Sequence, residues 1–131
     1  MIDAEALVTM WLADRLPGTR VVAELPAGFE NHLPVVQITA LPGERRAKPW
    51  NGRYPLLWSP RIDLDAYART RQDAYDLADR VSVEMHELVG TGNQWGHVTV
   101  VEETAGPSWR PDFNQAVRRA GLTIALTVRA S

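Results

Sequence analysis

The 131-residue chain has no cysteine, which excludes disulfides and any thiolate nucleophile or thiolate metal site. Long apolar runs are also missing: none approaches the roughly 18 to 20 residues a bilayer-spanning helix needs. Serines are few, and none stands in a Gly-x-Ser-x-Gly nucleophile elbow. Three histidines, His32, His86 and His97, are scattered without the spacing of a zinc site. Excess positive charge is absent too, with 14 Lys and Arg against 16 Asp and Glu and a net charge of −2. The only basic runs are Arg45-Arg46-Ala47-Lys48 and Arg118-Arg119, too little to neutralise phosphates as a dedicated DNA binder does. Gly90-Thr91-Gly92 follows a helix, whereas a dinucleotide loop follows a strand, so it reads as a helix cap. These absences predict a protein that is not an enzyme and takes no cofactor or metal. Acidic residues in Met1-Ile-Asp-Ala-Glu-Ala-Leu7, where a signal peptide is basic, predict a protein made and kept in a cytoplasm.

What is present describes a folded domain. Apolar residues make up 45% and charged residues 23%, so residues 1–131 are read as one domain with a core of its own. Five tryptophans exceed what this length needs, and large aromatics favour a chain that binds other chains. In Leu122-Thr-Ile-Ala-Leu-Thr-Val-Arg129, the residues Leu122, Ile124, Leu126 and Val128 alternate with Thr123, Ala125, Thr127 and Arg129. That period of two is a strand with one buried face. A helix from Thr70 to about Val89 gathers Ala74, Leu77, Ala78, Val81, Met85 and Leu88 within an arc of about 100°. Thr70 caps it, and Asp73 stands in the reciprocal position.

The remaining elements follow from punctuation and period. A first helix runs from Asp3 to Leu16, stopped by Pro17-Gly18. Its apolar residues spread widely: Leu7, Met10 and Trp11 share one face, while Val8, Leu12 and Leu16 extend toward the other. Either it is sandwiched inside the protomer, or its second face meets another subunit. Strands are expected at 20–25, 33–41, 58–69 and 97–104. Residues 42–57, rich in proline, glycine and basic side chains, read as an extended arm ordered against a partner or as a surface loop. The predicted class is α+β, a mainly antiparallel sheet of about five strands with two helices in the order αβββαββ.

Two groups invite a functional reading. Asp63 and Asp65 share one strand face, where paired carboxylates can hold a cation or act as acid and base, though such pairs are more often solvated or interfacial. The segment Gly106-Pro-Ser-Trp109-Arg110-Pro-Asp112 reads as a linker that places Trp109 beside Arg110 and Asp112. Trp and Arg dominate interface hot spots, and the alternative is a tryptophan covering the edge of its own core.

From Ile62 to Arg129 the chain resembles the tail-terminator family of long-tailed bacteriophages. The residues that carry the likeness are Asp63-Leu-Asp-Ala-Tyr-Ala-Arg69, Thr70 to Val81, His97 to Glu103, Gly106 to Asp112 and Arg119 to Arg129. The resemblance implies a structural virion protein of the neck, assembled in the host cytoplasm. It implies a homo-oligomeric ring, hexameric in the family, that caps the tail tube, stops its polymerisation and offers a joining surface to a head-completion or connector protein. DNA would pass through such a ring without specific binding. Heterologous contacts in a ring need two different patches. The candidates are Leu12 and Leu16, then Arg45, Arg46, Trp50, Arg53 and Tyr54 of the arm, and Trp109, Arg110, Asp112, Arg118 and Arg119. Asp63 and Asp65, or the acidic face of the long helix, would line the passage. Competing readings are a head-closure or adaptor protein of the same neck, or a small ligand-binding α+β domain.

Overall fold

The computed structural model describes residues 3–47, 57–112 and 114–129, and of residues 42–47 and 57 the backbone alone. Two helices, α1 (Ala4–Arg15) and α2 (Arg71–His86), lie on one face of a six-stranded sheet. The strands are β1 (Arg20–Val22), β2 (Val35–Ala47), β3 (Leu57–Ala68), β4 (Gly92–Asn93), β5 (Gly96–Arg110) and β6 (Arg118–Arg129). Their spatial order is β1-β2-β3-β6-β5-β4, antiparallel throughout except for β1 alongside β2. The expected α+β class therefore holds, with the two-residue β4 as the added strand.

The alternation of β3 and β6 builds the core. Ile62, Leu64, Ala66 and Ala68 of β3 and Leu122, Ile124, Leu126 and Val128 of β6 all point to the helical side and are buried. Ala74, Ala78, Val81 and Met85 of α2, with Leu88 just beyond its end, close over them. Each large aliphatic buried in this way contributes about 1.5–3 kcal/mol. The Thr70 hydroxyl accepts the Asp73 amide at 3.1 Å, as the cap signal requires. Gly90, at φ 80°, then turns the chain so that its amide reaches the Val98 carbonyl at 2.8 Å.

Helix α1 resolves the choice its wide apolar band left open. Leu7, Val8, Leu12 and Leu16 are all fully buried within the protomer. Leu12 and Leu16, expected at a subunit interface, are thus core residues, because α1 is wedged against β1, β2 and α2 and needs apolar contact on both flanks. Hydrogen bonds help hold it there. The Trp11 indole donates to the Glu84 carbonyl at 2.9 Å, and the Asn93 amide group donates to the Leu7 carbonyl at 3.2 Å. Arg15 lies over the Trp11 ring at 4.0 Å and pairs with Glu87 at 3.3 Å.

Two proline-bearing segments read as loop or linker are strand instead. The chain from Pro42 to Ala47 continues β2 in register with β3, Glu44 opposite Ser59 and Arg45 opposite Trp58. Gly106 to Arg110 likewise continues β5 beside β6. Both prolines fall at register shifts, one between Leu41 and Glu44, the other between Ala105 and Ser108. Among the described residues each strand is also bare on its outer side there, since β1 covers only Val35 to Gln37 and β4 only Gly96 and His97. A missing amide costs no ladder bond at a bulge on an edge.

Candidate functional site

The helix-free face of the sheet carries a charged cluster that follows from strand parity. Asp63 and Asp65 of β3 point away from the helices, as their two-residue spacing requires. Across on β6, Thr123 stands opposite Asp63 and Gly121 opposite Asp65. One strand further, Arg110 of β5 stands opposite Arg119 of β6.

The guanidinium groups close over the carboxylates. Asp65 Oδ1 accepts from Arg110 at 3.0 Å and from Arg119 Nε at 2.9 Å, and its side chain is only 4% exposed. Asp63 accepts a short bond from the Thr123 hydroxyl and lies 3.5 Å from Arg110. Asp112 adds a third carboxylate 3.9 Å from Arg119. A buried carboxylate is costly unless paired, and here two guanidiniums supply the pairing. Gly121 makes the room: a Cβ at that position would lie 2.6 Å from Asp65 Oδ1 and 2.7 Å from the Arg110 Cζ.

Tyr67 borders the cluster. It is buried, meets Phe29 edge-to-face at 5.2 Å, and belongs to a second apolar group with Val35 and Val117. Burial pushes its hydroxyl up to about 12, against the opposing pull of the Arg119 charge. Arg119 itself is raised, chiefly by its hydrogen bond to Asp65.

The structure thus joins three residues the sequence set apart as interface candidates and two it set apart as lumen-facing. Arg110, Asp112, Arg119, Asp63 and Asp65 form one internal network. Asp65 does not present a solvated carboxylate to a passage, because the two arginines cover it; Asp63 keeps partial exposure. Arg118 is exposed and donates to the Gln115 and Val117 carbonyls at 3.2 Å. Trp109 points to the opposite face, opposite Ala120, with the Arg71 guanidinium 5.2 Å from its ring. Arg45 and Arg46 sit on the β2 backbone, while Trp50, Arg53 and Tyr54 lie outside the described residues. Thr123 and Gly121 went unnoticed in the sequence, although the parity that placed Thr123 on the helix-free face extends directly back to Arg119. Among the described residues no three His, Asp or Glu side chains gather as a metal site requires.

A separate groove of about 370 Å³ opens where the start of α2 meets the entry to β2. Leu33, Pro34, Ala68 and Leu77 form its apolar part, and Asp73, Asp76, Arg69 and Arg80 its polar part.

Fold and site define a small two-layer α+β protein whose charged face is spent in joining strand to strand. The family of phage tail termination proteins matches residues 1–131, the whole chain, so this protein belongs to that family and is a structural component of the virion tail. Among solved structures, a chain in the virion of a native gene transfer agent particle is 19% identical over 97% of this chain and 95% of that one. Its TM-score is 0.65, so the two share a fold. No curated protein matches.

Proposed function

We propose that this protein forms a ring, six-membered as in its family, that caps the end of the tail tube. The ring stops addition of tail tube protein and presents a joining surface to a head-completion or connector protein. The match of the family over all 131 residues carries this reading. The charge balance supports it, since a passage for DNA works best without a strongly basic wall, and the net charge is −2. Assembly takes place in the host cytoplasm and the product stays in the virion neck.

The test is to mix purified protein with purified tail tubes, count capped ends by electron microscopy, and follow tube length as tube protein is added. Capped ends and arrested growth are expected; free ends that keep growing would overturn the reading. In the same assay Trp109→Ala should reduce capping at least about tenfold while lowering thermal stability little, because this half-buried indole stands outside the apolar core with the Arg71 guanidinium over it. Equal loss of both would assign Trp109 to the core.

A further inference from the structure

We propose that the acidic outer face of α2, together with the groove at its N-terminal end, receives the basic end of the β2–β3 hairpin of a second copy. This deepens the ring reading and rests on it.

Charge in this chain is sorted by layer. The two helices with their capping residues carry eight carboxylates and three arginines, whereas residues 42–56 carry four basic side chains and one acidic. Everything else balances, seven of each sign. Two of the three helical arginines are engaged at α1: Arg15 pairs with Glu84 and Glu87, and the Arg80 guanidinium, at the groove, donates to the Arg15 carbonyl at 3.4 Å. Among the described residues Asp73, Asp76 and Asp79 are in no ion pair. Val83, 58% exposed, lies at the centre of this face, one turn from Asp79 and two from Asp76 on one side and one turn from Glu87 on the other. The face runs into the groove through Asp73 and Asp76, and there the floor turns apolar with Leu33 and Leu77. Carboxylates beside an apolar floor suit a partner that offers guanidinium groups together with aromatic rings, and the hairpin segment has both types.

Geometry puts the two surfaces on different copies. The groove sits at the start of β2, near Val35 and its partner Tyr67, whereas Arg45 pairs with Trp58 at the far end. Nine residues of β3 separate those ends, roughly 30 Å of extended chain. Moreover α2 packs on β3, β5 and β6, and α1 stands between it and β2. The described end of the hairpin, at Arg45 and Trp58, thus lies far from the groove of its own chain. Two unlike patches at opposite ends of a protomer make a head-to-tail contact, the kind a closed ring repeats.

Charge reversal tests this directly on tail-tube ends. One variant, Asp76→Arg with Asp79→Arg, makes both patches basic; another, Arg45→Glu with Arg46→Glu, makes both acidic. Each alone should cap at least about tenfold fewer ends than the parent chain, by like-charge repulsion at every junction. An equal mixture should recover capping to within about twofold, since alternating copies restore opposite charges at each junction. Thermal melts matching the parent exclude loss of fold as the cause, and the recovery excludes it independently. Variants that each cap as well as the parent, or a mixture no better than its parts, would overturn the docking while leaving the ring intact. A parent chain that caps no ends at all would overturn the ring reading and this contact with it.

Discussion

At the scale of single residues, Asp65 governs the helix-free face. Among the described residues its carboxylate is the one point where β3, β5 and β6 are linked by charge, through Arg110 and Arg119. Replacing it by asparagine keeps the shape and removes the charge that both guanidiniums share. Asp65→Asn should cost about 2 kcal/mol in urea unfolding, below the 3–5 kcal/mol typical of fully buried pairs because both arginines retain some solvent. Tyr67 offers a pH-dependent measurement. Burial favours its neutral form in the native state, while in the unfolded chain it ionises near its ordinary value of 10. As pH rises from about 10 toward about 12, the unfolded state releases a proton that the native state holds, so stability falls over that window and is unaffected below it. Tyr67→Phe should flatten this alkaline decline in stability. At neutral pH it should cost under about 1 kcal/mol, since the hydroxyl makes only a 3.4 Å bond to Gln37. The carboxylate pair was legible in the sequence because parity alone fixes a shared face. Its arginine partners were not, since they lie 45 and 54 residues away and only the sheet order brings them over.

Among the elements, α2 and β6 could be read from the chain because each satisfies its own period and each is covered on one side only. The cap of α2 offers a check: Thr70→Ala should lower stability by about 1 kcal/mol in a thermal melt, and Thr70→Ser should restore most of it, because the lost bond is to the Asp73 amide. The elements that escaped sequence reading did so for a common physical reason. Proline and glycine mark turns when nothing else is known, yet Pro42 and Pro107 lie in strands, at shifts of register on bare outer edges where no ladder bond is forfeited. Helix α1 was legible as a helix, but what covers its second face was not. Its apolar band is too wide to say from sequence whether its own chain or a neighbour covers it, and the answer is supplied by β1, a three-residue strand lying parallel to β2.

For the whole molecule, the order of strands in space differs from their order in sequence. Of the six strands, the one latest in the chain, β6, lies between β3 and β5. Leu122, Ile124, Leu126 and Val128 reach the core only when residues 118–129 have been synthesised. Until they leave the ribosome, β3 and β5 have no common neighbour, and Asp65 has no Arg119. β6 is therefore the last of these strands to be synthesised, and closure between strands distant in sequence folds slowly. The consequence is temporal order: fragments that stop short of β6 lack the finished sheet, so synthesis must pass Arg129 before the protein can take its place in the virion tail.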